Sequence, residues 1–206
     1  QYIKEVQKNK EALQQELLPL KENFKREALI YGREEVCFLN VPYIISQSDA
    51  IILKQIAKTT YKILEKITRH YIKDKNYREL FGFSPLANEL ILSAANYDCV
   101  IPIMRLDVFY NPQTQEIKFC EINTDGTSAL KEIMDINQAL AKSEAFKNIG
   151  GKNKLKYSNM YDVLANSMLK VYSTYKFKTN DPLVAIADYT ENAAMPELGM
   201  IKTAFE

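Results

Sequence analysis

The sequence predicts a mixed α/β protein of α+β character: a helix-rich body around one antiparallel hairpin, followed by the start of a parallel α/β unit. Three observations predict it. Apolar residues recur at helical spacing through most of Gln1 to Tyr71. Two alternating runs, Ile101 to Tyr110 and Glu116 to Asn123, flank the turn-rich Asn111-Pro112-Gln113-Thr114-Gln115. A further apolar run, Leu183 to Ala187, follows Asp181-Pro182 and precedes Pro196, a residue suited to the first turn of a helix.

Each element has its own local reason. In Gln1 to Arg33, Leu13, Leu17, Leu20 and Phe24 form a helical repeat. Pro19 is expected to break or kink it, because proline lacks an N–H and clashes with the preceding turn. Val36 to Val41 reads as a short strand ended by Pro42. Ser46-Gln47-Ser48-Asp49 offers N-cap side chains for a long helix, with Ile52, Ile56, Ile63, Ile67 and Tyr71 as its apolar stripe and lysines opposite. Asn76 to Ala87 reads as a loop around Gly82 and Pro85, and Ala87 to Ala95 as a helix. After the hairpin, Thr127 and Ser128 are placed to cap a helix running to about Asn148 and ending at Gly150-Gly151. Another helix runs from Ser158 to about Tyr175. A boundary near Thr179 then divides the chain into residues 1–178 and 179–206.

Composition narrows the function. The chain has 206 residues, of which 47% are hydrophobic and 26% charged, the mix of an ordinary globular protein. Lys plus Arg number 27 and Asp plus Glu 26, a net charge of +1. A general nucleic-acid or membrane-surface binder is more lopsided, so neither partner is expected. No apolar stretch approaches the roughly 18 residues of a membrane span. Cys37, Cys99 and Cys120 lie far apart and suggest neither a zinc knuckle nor a disulfide framework, which favours a reducing cytoplasm. His70 is the single histidine, so a His-rich metal site is excluded and a Ser-His-Asp triad disfavoured. The chain opens without Met and stops within the helical pattern Ile201 to Glu206, so it is expected to be a portion of a longer protein.

The hairpin carries the chemistry. With the turn centred on Gln113, Arg105 is expected opposite Glu121 and Asp107 opposite Phe119. Side chains alternate along a strand, so Arg105, Asp107, Glu121 and Asn123 share one face. Opposed Cβ atoms stand about 5 Å apart. Magnesium takes hard oxygen ligands, few of them from protein, with phosphate oxygens and water completing the shell. Asp107, Glu121 and Asn123 supply such oxygens, and Arg105 supplies a planar fork for a phosphoryl group. The set suits magnesium–nucleotide phosphoryl transfer. The plain alternative is an exposed cross-strand ion pair of Arg105 with Glu121. Thr124, Asp125, Thr127 and Ser128 lead into a helix N-terminus, where free N–H groups and the dipole favour a substrate carboxylate or acyl-phosphate; simple capping by Thr127 or Ser128 is the alternative there.

Arg105-Leu106-Asp107 and Glu121-Ile122-Asn123-Thr124-Asp125-Gly126 resemble the metal-binding motif of ATP-grasp ligases. More narrowly, Pro102 to Phe109 and Glu121 to Gly126 resemble the circularly permuted, glutathionylspermidine synthase-like ATP-grasp proteins. The resemblance extends loosely from Val41-Pro42 to the end of the chain, and the hairpin is its specific part. It implies that residues 1–178 hold a helical region and the metal-binding hairpin half of a permuted ATP-grasp domain. Residues 179–206 would then begin a Rossmann-like substrate domain, with Val184 to Thr190 and Glu197 at its start. It implies ATP and Mg²⁺ as cofactors, Asp107, Glu121 and Asn123 as magnesium ligands, and Arg105 on the transferred phosphoryl. It further implies small-molecule carboxylate and amine substrates joined as an amide through an acyl-phosphate. In such a protein the adenine-holding strands and phosphate-binding lysines lie downstream, so the 206 residues alone are expected to be inactive. The family's aromatic loop after the Asn is replaced here by Thr124 to Ala129.

Two other readings compete: a non-catalytic relative that binds a small ligand or a partner chain, and a metal-dependent nuclease. Glu116-Ile117-Lys118 after Asp107 imitates the nuclease arrangement, but the expected register turns Glu116 and Lys118 away from Asp107, and a one-residue slip would reverse this. No Gly-x-Gly-x-x-Gly follows Leu183 to Ala187, so a dinucleotide site is not expected, and Asp188 reads as a turn residue. Cys120 is expected in the core, and His70 and the Lys152, Lys154, Lys156 run in solvent.

Overall fold

The computed structural model describes residues 1–31, 34–93, 96–124, 129–150, 155–189 and 193–206. In chain order these residues form α1 (Tyr2–Lys8), α2 (Lys10–Tyr31), α3 (Gln47–Lys73), α4 (Lys75–Glu79), α5 (Pro85–Leu92), β1 (Arg105–Tyr110), β2 (Ile117–Asn123), α6 (Leu130–Lys142), α7 (Glu144–Asn148), α8 (Met160–Ser173) and α9 (Met195–Phe205). The mixed character is as expected, helix-rich with one two-stranded antiparallel sheet. The chain divides into two compact units, residues 1–44, 129–165 and 185–206 in the first, and 45–128 with 166–184 in the second. The expected boundary near Thr179 falls inside the second unit. Among the described residues no helix is long and apolar enough to cross a membrane.

The first unit is helical. Its first break is at Asn9, not Pro19: Asn9 adopts φ −149°, ψ 80°, and its Oδ1 caps α2 by accepting from the Ala12 N–H at 3.0 Å. Pro19 lies within α2 on its exposed side. Interior proline costs about 3 kcal/mol, and here the opposite side of the helix offsets it by burying Leu13, Leu17 and Phe24. Leu13 and Leu17 pack with Leu140 of α6, while Leu130 and Met134 of α6 pack with Tyr161 of α8 and with Ile201 and Ala204 of α9. The single helix expected up to Asn148 is two. Ser143, buried, donates its hydroxyl to the Leu140 carbonyl at 2.7 Å and accepts from the Phe146 N–H at 3.3 Å, closing α6 and capping α7.

Both extra strands expected from sequence are absent. Val36 to Val41 runs without a strand partner among the described residues. Its alternation is real, since Val36 and Phe38 are half-buried between exposed neighbours, but Phe38 uses it to set its ring edge-on to Phe24 of α2, centroids 5.8 Å apart. Leu183 to Ala187 likewise forms no strand, and Leu183 is 99% exposed. An apolar run becomes a strand only where another strand takes its backbone hydrogen bonds. Pro196 does stand in the first turn of α9, as expected.

In the second unit, Ser46 caps α3, its Oγ accepting from the Asp49 N–H at 3.1 Å. The inward stripe of α3 advances by fours through Ile52, Ile56, Thr60 and Leu64 to Ile67 and Tyr71. Ile63 lies off that line and is exposed, a correction to the expected stripe. The stretch expected as a loop contains α4, capped by Asp74 Oδ1, which accepts from the Asn76 and Tyr77 N–H groups at 2.9 and 3.1 Å. Gly82 takes φ +64°, open to glycine without strain, and lets the chain turn into α5. Tyr71 donates to Asn88 Oδ1, and its ring meets Phe81 and Phe83 at 5.1 and 6.0 Å.

Candidate functional site

The turn is built by Asn111. Its Oδ1 accepts from the Gln113 N–H at 2.9 Å, and its backbone N–H donates to the Glu116 carbonyl at 2.9 Å. Gln115 takes φ +58°. Beyond the turn, Tyr110 pairs with Ile117, Phe109 with Lys118 and Val108 with Phe119. The register then shifts: Asp107 pairs with Glu121 and Arg105 with Asn123. Cys120 is the extra residue of this bulge, and it is exposed rather than in the core.

The expected register is therefore corrected by two residues at Arg105 and Asp107. A two-residue slip preserves the face, because the side-chain period is two. Arg105, Asp107, Glu121 and Asn123 do meet. Arg105 Nε donates to Asp107 Oδ1 at 3.0 Å, and its Nη2 donates to Asp107 Oδ2 at 3.4 Å and Glu121 Oε1 at 3.3 Å. Asn123 Nδ2 donates to Glu121 Oε1 at 2.8 Å. The Arg105 side chain is 38% exposed, Asp107 40% and Glu121 54%. Ion pairs this open contribute about 0–1 kcal/mol each to stability, so the fold gains little from holding them together.

At the hairpin's turn end, Tyr110 donates its hydroxyl to Asp49 Oδ1 at 2.6 Å, and Ser46 donates to Asp49 Oδ2 at 2.5 Å. These hydrogen bonds, Ser46 first and Tyr110 second, hold the Asp49 carboxyl below its ordinary pKa. They tie β1 to the first turn of α3.

The bulge also changes the nuclease arrangement. Lys118 stands opposite Phe109, so alternation puts it on the side of Asp107 rather than the opposite one. Its partner is nevertheless Glu116, at 3.6 Å.

Two carboxylates and one amide carbonyl at one place match what magnesium takes from protein when phosphate and water supply the rest. Among the described residues no group of three or more His, Cys, Asp or Glu is arranged to hold a metal ion alone. Thr124 is exposed at the end of β2, and Asp125, Thr127 and Ser128 lie outside the described residues.

At the start of α6 the chain itself supplies a carboxylate to one backbone N–H of the first turn. Glu197 of α9, 9% exposed, accepts from the Lys131 backbone N–H through Oε2 at 3.1 Å. A side-chain carboxylate at a helix N-terminus makes a favourable contact with the helix dipole. The Lys131 ammonium is itself enclosed, its side chain 13% exposed, and it donates to Glu27 at 2.8 and 3.1 Å and to Asp135 at 2.6 Å. Burial pulls its pKa down, but Asp135 and Glu27 outweigh burial and hold it above the ordinary lysine value. The sequence reading missed this cluster. Lys131 and Asp135 at i, i+4 were a visible signal; Glu27 and Glu197 arrive from distant helices and gave none.

No family model, no curated protein and no solved structure matches the chain.

Proposed function

We propose that the hairpin is the magnesium–nucleotide face of an ATP-dependent carboxylate–amine ligase. The observation that carries this reading is the convergence of Arg105, Asp107, Glu121 and Asn123 at hydrogen-bond distance on one half-exposed face. Asp107, Glu121 and Asn123 would hold Mg²⁺, which supplies charge neutralisation at the nucleotide phosphates. Arg105 already offers its fork to both carboxylates; with a phosphoryl group present, the same fork binds the oxygens on which charge gathers during transfer. The substrates in this reading are a small carboxylic acid, activated as its acyl-phosphate, and an amine, met in the cytoplasm. The ATP-grasp fold belongs to the same proposal, and rests on the two motifs rather than on the two-stranded sheet.

The test is magnesium-dependent ADP release by the full-length gene product. Glu121→Gln keeps size and shape and removes one ligand charge. Release should fall by orders of magnitude while the thermal midpoint stays within the effect of about ±0.5 kcal/mol expected of a surface change. An unaltered rate removes the hairpin from catalysis. The openness of the cluster favours a second reading, a non-catalytic surface ion pair on a ligand-binding or partner-binding relative, which the unaltered rate would support.

A further inference from the structure

The outward face of α3 is basic. Thr60 and Tyr71, the buried residues of this helix, mark its inward side. With about 100° of turn per residue, Lys58, Lys62, Arg69 and Lys73 fall within about 40° of the line opposite Thr60, and Lys54 and Lys66 flank them at about 60°. All six are exposed. Lys54, Lys58, Lys62 and Lys66 repeat every fourth residue, a rise of about 6 Å per step, so they run about 18 Å along the helix and Lys73 extends the row to about 28 Å. Glu65 is the one carboxylate that α3 places on this face, and it pairs with Arg69 at 2.8 Å. The five lysines form no ion pair among the described residues.

The net charge of +1 averages over a chain whose charges are segregated. Six of its 27 Lys and Arg but one of its 26 Asp and Glu stand on this single face, which leaves the remainder net −4. A polyanion is therefore attracted along one side of one helix and repelled by the rest. Two apolar side chains share the face: Ile51, 64% exposed, on its centre line, and Ile72, 43% exposed, at its margin. An exposed isoleucine among lysines gains contact where apolar material lies just beneath a layer of negative charge, which is the make-up of an anionic lipid surface. A nucleic acid fits less well. The face has no aromatic ring on which a base could stack, and Arg69, its one planar fork, is already held by Glu65 and by the Asp98 carbonyl at 3.1 Å.

We propose that α3 docks lengthwise on an anionic lipid bilayer, with Lys54, Lys58, Lys62 and Lys66 on the head-group phosphates and carboxylates and Ile51 at the acyl boundary. The hairpin meets α3 through Asp49, on the inward side of the helix, so this docking does not rest on the ligase reading.

The experiment is co-sedimentation of the 206-residue chain with vesicles of phosphatidylcholine alone and of phosphatidylcholine with phosphatidylserine at about three to one. Partition onto the anionic vesicles alone is expected at about 0.1 M salt, and its loss at about 1 M, where the Debye length falls from about 10 Å to about 3 Å. Each lysine near an anionic leaflet contributes about fivefold to partition, so Lys58→Gln with Lys62→Gln should lower it about 25-fold. Lys10→Gln with Lys25→Gln, exposed lysines of α2, should leave it unchanged. Ile51→Gln should lower it about threefold or more, the share of a partly inserted side chain. These are surface changes, and the melts should match that of the wild type. Equal partition onto phosphatidylcholine alone, an equal loss from the α2 pair, or unchanged partition in the α3 pair or in Ile51→Gln would each overturn the proposal. So would displacement from the vesicles by oligouridine or polyglutamate at matched anion concentration, which would assign the face to a nucleic acid or to an acidic protein.

Discussion

Replacing Lys131 with Met is expected to destabilise the protein by about 3 kcal/mol, the low end of the ~3–5 kcal/mol lost when one partner of a buried ion pair is removed. Met keeps the length of the side chain and its contact with Phe24, and removes only the ammonium. Glu27 and Asp135, whose side chains are 23% and 29% exposed, then lose the ammonium that each of them pairs with. At roughly 2–4 °C per kcal/mol for a chain of this size, the midpoint should fall by about 6–12 °C. Lys131→Met combined with Glu27→Gln and Asp135→Asn should recover most of that, since the loss comes from uncompensated charge and not from missing volume. The pH dependence follows in sign. The folded pKa of Lys131 lies above its ordinary value, so its stabilisation is complete below about pH 10.4 and is lost as pH rises through the folded value. The single variant should lack this alkaline loss. Thermal and urea melts across pH check both points; a Lys131→Met melt equal to that of the wild type would remove the cluster from the account of stability.

Arg105→Lys in the full-length gene product should lower ADP release by orders of magnitude with little change in folding. Lysine keeps the charge and loses the planar fork that reaches both carboxylates at 3.0–3.4 Å. An interaction that strengthens as charge moves onto the transferred group raises kcat rather than nucleotide affinity, and each 1.4 kcal/mol of lost transition-state stabilisation is roughly tenfold in rate. A melt beside the assay separates this from a structural role: a plain exposed pair costs well under about 1 kcal/mol and leaves the rate alone.

The candidate site was legible from sequence because it is local. Parity along two strands joined by a five-residue turn is enough to put Arg105, Asp107, Glu121 and Asn123 on one face. It survived a register error of two residues because an even slip preserves the face. The bulge was not legible. Nothing in Lys118-Phe119-Cys120-Glu121 marks Cys120 as the residue left over, and so its exposure and the side taken by Lys118 were both misplaced. The cap at Ser46 was readable from residue type, whereas the break at Asn9 was overshadowed by Pro19, whose missing N–H falls on the solvent side of a well-buried helix. Val36 to Val41 and Leu183 to Ala187 show the limit of periodicity: alternation reports which side chains are sheltered, not whether a strand lies alongside. The charge cluster at Lys131 depends on three helices distant in sequence and could be found only once α2, α6 and α9 were in place.

The most direct test of the hairpin as a cation site is Mn²⁺ added at substoichiometric levels to the 206-residue chain, read as paramagnetic broadening of assigned amide resonances. Mn²⁺ takes the same oxygen donors as magnesium. The expected result is broadening centred on residues 105–107 and 121–123, enhanced by a nucleotide, reversed by excess Mg²⁺, and absent from the Asp107→Asn, Glu121→Gln double variant. Broadening spread over the acidic surface, or undiminished in the double variant, would contradict the account and leave Arg105 and its two carboxylates as an ion pair of the surface.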